Sequence, residues 1–179
     1  KKEQVSDLLR LKKQATLKLS RLYEAYRLKK ITTGEWSDGT IEILDGLMEI
    51  TDDELTWYRL IKIQALIVNK KRQEALWIIS DLKKEIEDKK SPQWAYLLYL
   101  CTLIEKEKTY VSRLTHEIEI IFREYSEDSR IFWFLLFLRE EYIGNPSRKL
   151  KAIRQWVMSG VDSIFLYIEA YELFCQDPL

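Results

Sequence analysis

Turn-forming residues are scarce in this chain, with five glycines and three prolines among 179 residues. A β-sandwich or barrel needs turn chemistry roughly every 8 to 12 positions, so the expected fold class is all-α. Cysteine is equally sparse. Cys101 and Cys175 stand too far apart to read as a disulfide framework or a metal motif, and a reducing, by default cytoplasmic, compartment is expected. His116 is the single histidine, which excludes a two-histidine metal site. Neither sign of charge is in excess, with 29 Lys+Arg against 29 Asp+Glu, and no global argument for nucleic acid remains. The longest apolar run, Ile131 to Leu138, is closed by Arg130 and Arg139 and falls far short of the ~20 residues that cross a bilayer. No two glycines fall within four residues of each other, so a phosphate-cradling loop is not expected. The first residue is Lys and no charged-then-apolar leader precedes the first helix, which makes a piece of a longer polypeptide the expectation.

What is present is a globular balance: 46% apolar, 32% charged and 12% aromatic. A chain of this size buries roughly 70% of the surface that its unfolded form exposes. Helical periodicity runs almost throughout. Val111, Leu114, Ile118, Ile121 and Tyr125 keep the 3-4-3-4 spacing of one buried helix face, and Ala75, Ile79, Leu82 and Ile86 repeat it. Between these lie segments with no adequate polar face, Trp94 to Ile104 and Ile131 to Leu138, which predict helices covered on nearly every side. Start signals agree. Thr51 with Glu54 reads as a capping box, Ser91 precedes Pro92, and Ser129 and Ser163 each precede an apolar stretch.

Those starts are 40, 38 and 34 residues apart, the period of a helix-turn-helix repeat. Trp36, Trp57, Trp77, Trp94, Trp133 and Trp156 recur about once per helix, as bulky fillers between layered helix pairs would. Gly144 with Asn145-Pro146, and Gly160, read as stops. The pattern predicts nine helices, at about 3–29, 39–50, 52–69, 71–88, 92–107, 109–126, 130–143, 146–159 and 162–175. The expected organisation is an α-α repeat array in which residues 1–50 hold a basic helix, an acidic turn-rich segment and a short helix. Residues 51–179 hold helix pairs at about 51–90, 91–128, 129–162 and, in part, 163–179. Ile31 to Thr40, with Gly34, Ser37 and Gly39, is the expected hinge or loop.

The period resembles tetratricopeptide-like repeats, although the small residue of that pattern is replaced by Leu98 or Leu136. A closer likeness is carried by SPQWAYLLYLCTLIEKE, REYSEDSRIFWFLLFL and EEYIGNPSRKLKAIRQWVMSGVDSIFLYIEAYELF, between residues 91 and 179. These resemble the helical-repeat region of large uncharacterised multidomain proteins of gut clostridia, a domain of unknown function. The resemblance implies an array within a longer protein and carries over no functional residues. LKLSRLYEAYRLKKIT, residues 17 to 32, is similar in cadence to the coiled coil of large serine recombinases, but no resolvase-type catalytic segment or zinc-ribbon cysteine pair accompanies it.

The chemistry-bearing residues read as structural. His116 is expected on a solvated helix face, and Cys101 and Cys175 as small buried hydrophobes. The pairs Glu105/Glu107, Glu117/Glu119 and Glu140/Glu141 fit solvated faces with partners such as Glu119 and Arg123. Asp52, Asp53 and Glu54 suit a helix N-terminus, with no metal needed. Residues 1–30 carry ten bases against three acids, and residues 31–58 carry eight acids and no base. Val5, Leu8, Leu9, Leu22, Tyr23 and Tyr26 are expected to pack the first helix inward, with the acidic block neutralising its charge. The alternative is that Lys12, Lys13, Lys18, Arg21, Arg27, Lys29 and Lys30, with Leu8, Leu11, Leu22 and Tyr26, meet phosphates or an acidic membrane surface.

The expectation for function is a non-catalytic scaffold or spacer within a larger protein, with no catalytic, metal or cofactor-binding residue and no cofactor. Its partners would be other domains or a protein or peptide segment held on the concave face of the array.

Overall fold

The computed structural model describes residues 2–50, 55–105, 107–126 and 130–143, with isolated positions at 147, 148, 151, 152 and 155. Among them every regular element is an α-helix: α1 Lys2–Arg27, α2 Thr33–Ile50, α3 Leu55–Val68, α4 Arg72–Glu85, α5 Pro92–Ile104, α6 Lys108–Phe122 and α7 Arg130–Ile143. The chain is all-α, with α1 and α2, α2 and α3, α5 and α6, and α6 and α7 packed as successive neighbours. Of the last two expected helices only positions 147, 148, 151, 152 and 155 are described, all helical; Trp156, Gly160, Ser163 and Cys175 lie outside the described residues, as do Thr51 to Glu54, Ser129 and the stop at 144–146. Two compact units result, Lys1–Ala75 and Leu76–Leu179.

In the first unit α2 packs on both α1 and α3. Its start overturns the expected hinge over residues 31–40. Thr32 Oγ1 accepts from the Glu35 N–H at 3.2 Å, while Glu35 Oε2 accepts from the Thr32 N–H at 2.7 Å. This reciprocal capping box satisfies two of the orphan donors of a helix N-terminus and draws Gly34, Ser37 and Gly39 into α2. The Thr32 N–H first, and its hydroxyl second, hold the Glu35 carboxyl below the usual carboxylate range. A group whose value is lowered by folding adds stability at neutral pH, and that contribution disappears as pH falls through the lowered value. Thr32→Ala is expected to cost about 1 kcal/mol in chemical denaturation.

Gly39 has a different reason to be in the helix. A Cβ there would stand 2.8 Å from Leu22 Cδ2 of α1, so its bare backbone lets the two helices approach. Tyr26 stacks on Trp36 at 5.2 Å and Tyr23 meets the same ring edge-on at 6.3 Å, closing the α1–α2 turn with aromatic area. The α2–α3 contact is tied by the buried Ser37 hydroxyl, which donates to the Ala65 carbonyl at 3.0 Å, and sealed by Leu44, Leu47, Tyr58, Ile61 and Leu66.

α1 and α3 end alike. Lys29 and Lys70 have φ of 56° and 60°. Around them Lys29 N donates to Tyr26 O and Lys30 N to Ala25 O, while Lys70 N donates to Ile67 O and Lys71 N to Leu66 O. These are two Schellman motifs with lysine at the left-handed position that glycine fills without steric cost. Lys29→Gly and Lys70→Gly are each expected to raise stability by about 1 kcal/mol, measured as an upward shift of the denaturation midpoint at unchanged slope.

The inward stripe of α1 differs from the expected one. Ala15, Leu19 and Tyr23 are buried and Leu8, Leu22 and Tyr26 half-buried, whereas Val5 and Leu9 are 67% and 54% exposed. α1 has 26 residues and α2 18, or about 39 Å against about 27 Å. Paired from their shared turn, the shorter helix leaves the first turns of the longer one uncovered.

In the second unit α5 packs on α6 and α7, and α6 on α7. Ser91 caps α5, its Oγ accepting from Trp94 N at 3.2 Å, with Pro92 at the first helical position, as the sequence predicts. Every residue from Ala95 to Thr102 is buried, so α5 has no polar face. α6 buries Leu114, Ile118 and Ile121, and Ile79 and Leu82 of α4 are buried together with Ile86 just beyond its end. The expected tryptophan layering holds only in part: Trp36 is buried, Trp57, Trp94 and Trp133 are half-buried, and Trp77 is 63% exposed. Trp77 lies two positions from Ala75, off the 75-79-82-86 stripe, and the helix period turns it outward.

Candidate functional site

A gathering of charged side chains in the second unit lies where α6 meets α7. Glu119 Oε2 lies 2.7 Å from Arg139 Nε, in a direction misaligned for a hydrogen bond, and Glu119 Oε1 lies 3.8 Å from an Arg123 guanidinium nitrogen. The Glu119–Arg123 pair is the i,i+4 partnership that the sequence predicts. Arg139 also spreads over the Phe122 ring at 4.9 Å, and Phe122 continues into Phe132 at 4.9 Å and Trp133 at 5.1 Å from Phe132.

Glu140 departs from the expected solvated face. Its side chain is wholly buried, with Arg139 and Arg148 guanidinium nitrogens 3.9 and 3.8 Å from Oε1 and no hydrogen bond to either carboxylate oxygen among the described residues. An ionised carboxylate withdrawn from water in this way must be offset by nearby cations. The cluster therefore joins α6, α7 and Arg148 by charge and is closed to a solute at Glu140.

A second polar junction forms between α4 and α5. The Lys89 ammonium donates to the carbonyls of Lys83 and Ile86 and lies 3.8 Å above the Trp94 ring. It caps the last carbonyls of α4 and adds a cation–π contact to the next helix. Lys90 pairs with Glu124 at 3.5 Å, linking this turn to the end of α6.

The other residues singled out in the sequence lie apart from these groups. His116 is exposed on α6, Glu107 is exposed, and Glu105 and Glu117 are half-buried. Cys101 is buried, and burial pushes its thiol up against the opposing pull of Lys83. Because folding favours the neutral thiol, stability should decline as pH rises past the ordinary thiol value, and alkylation of native protein near pH 8 should be at least about tenfold slower than of unfolded chain. The side chain of Glu141 and residues 52–54 lie outside the described residues. Among the described residues no three His, Cys, Asp or Glu could share a metal ion, and no helix is long and apolar enough to cross a membrane.

Two of the α2 acids are taken by bases that follow α2: Asp45 pairs with Lys62 at 2.8 Å and Asp38 with Lys71 at 3.3 Å. Sequence reasoning placed Glu140 on a solvated face and missed the roles of Arg139, Arg148 and Lys89, whose surroundings are made by helix packing and carry no local motif. No curated protein and no solved structure matches the chain. Over its whole length, residues 1–179, it matches the family described as Family of unknown function (DUF5717) N-terminal, and it belongs to that family.

Proposed function

We propose that the chain is a non-catalytic helical-repeat scaffold or spacer within a larger protein, built of tetratricopeptide-like helix pairs and serving other domains or a protein partner. One observation carries this reading: several of its acidic side chains are engaged in capping helices or holding bases of neighbouring segments. Glu35 caps α2, Asp38 and Asp45 hold bases of the following segments, and Glu119 and Glu140 hold Arg139. Such groups set the spacing and order of helices, which is what a spacer supplies.

The test is replacement. Exchanging this segment in the intact parent protein for an unrelated helical array of equal length should preserve the parent's activity if spacing is its role. Loss of activity from a folded replacement would favour recognition of a peptide or protein segment. Trp77 speaks for that second reading, since a tryptophan 63% exposed on a polar helix face is a ready anchor for a partner.

A further inference from the structure

We propose that the chain associates head to tail with a second copy of itself, the outer row of α1 in one copy meeting the outer row of α2 in the next. This goes beyond the scaffold reading and does not depend on it.

The acids of α2 form two rows. Asp38 and Asp45, seven residues apart, are paired with Lys71 and Lys62 of the same chain. Glu42 and Glu49, also seven apart, are exposed, and neither is in an ion pair among the described residues. Between these two sits Gly46, exposed, with nothing within 4 Å of the position that a Cβ would occupy. Unlike Gly39, which makes room for Leu22, Gly46 makes room for nothing among the described residues of its own unit. A glycine in an exposed helix interior weakens the helix relative to alanine, and the fold of this unit offers no compensation for it.

α1 carries the counterpart. Lys13, Leu17 and Arg21 follow one another at i, i+4 and i+8 on its outer side. All three are exposed, Leu17 by 58%, and the two bases are in no ion pair among the described residues. Lys13 and Arg21 are separated by about 12 Å along the axis, and Glu42 and Glu49 by about 10.5 Å. Laid antiparallel, the rows place Lys13 by Glu49, Leu17 on the bare backbone at Gly46 and Arg21 by Glu42. Flexible Lys and Arg side chains absorb the small difference in length. The chain already uses both devices internally, acid rows on α2 answered by lysines and a leucine of α1 seated on a glycine of α2. Because the two surfaces differ, the contact is heterologous and does not close on itself by twofold symmetry.

Sedimentation velocity on the full chain tests this. At about 50 mM salt the wild type should show concentration-dependent species above monomer, and at about 500 mM its association should weaken at least tenfold as the charges are screened. The double variants K13E/R21E and E42K/E49K, each checked for native helicity and melting, should be monomeric alone at low salt. Mixed, they should assemble again with alternating composition, because each then offers rows complementary to the other's. Gly46→Leu should melt no lower than wild type yet associate at least tenfold more weakly. A wild type that stays monomeric at low salt would overturn the proposal. So would association unchanged in the charge variants, a mixture that remains monomeric, or a Gly46→Leu chain that associates like wild type.

Discussion

Replacing Arg139 with methionine is expected to destabilise the chain by about 3–5 kcal/mol in denaturant unfolding, the range seen when one member of a buried ion pair is removed. The cost comes mainly from what is left behind. Glu140 loses the guanidinium of its own helix and, among the described residues, keeps Arg148, whose side chain is 64% exposed, while Glu119 loses its closest cation. The contact over Phe122 goes as well. A double change, Arg139→Met with Glu140→Leu, removes the stranded charge along with its partner and should recover most of the loss, because apolar replacement of a whole buried pair is often neutral. A single-variant effect below about 1 kcal/mol, or a double variant no more stable than the single, would show that Glu140 is compensated elsewhere.

A second large effect belongs to α5. Leu97 is 0% exposed in a helix whose residues 95–102 are all buried, and Leu97→Ala is expected to cost about 2–5 kcal/mol, the transfer term plus a cavity that α6 and α7 can close only in part. Trp77→Ala removes a far larger side chain but from a position 63% exposed, and its expected effect is within about 0.5 kcal/mol. Parallel urea titrations compare the two. Equal losses would mean that Trp77 is covered in solution.

Much of the architecture was legible wherever one face of a helix is apolar and the other is not. The stripes of α4 and α6 could be read by counting, and Ser91-Pro92 marked the start of α5 because capping is local chemistry. The start of α2 was misread for an instructive reason. Glycines suggested a loop over 31–40, yet Thr32 and Glu35 carry the same spacing that marked Thr51 and Glu54, and the capping box prevails over two helix-weakening residues. Trp77 was misassigned by size when its position in the period already pointed it outward. Other features have no signal in the sequence. Lys29 and Lys70 occupy the left-handed position without the glycine that usually reveals it. The burial of Glu140 depends on how α6 and α7 pack, a long-range property that no window around residue 140 contains. The exposure of Val5 and Leu9 follows from the unequal lengths of α1 and α2, which needed the correct start of α2 to be seen.

The all-round burial of α5 has a bearing on the chain during synthesis. A helix that is amphipathic can wait for its partner with its polar side in water, as α6 can, but α5 has no side on which to wait. From the time it leaves the ribosome until α6 and α7 follow, its Tyr96 to Leu100 core is a chaperone substrate and a nucleus for aggregation. Shortened chains that end between α5 and α6 should therefore accumulate in inclusion bodies, whereas those ending before Ser91 leave this segment out and escape that fate.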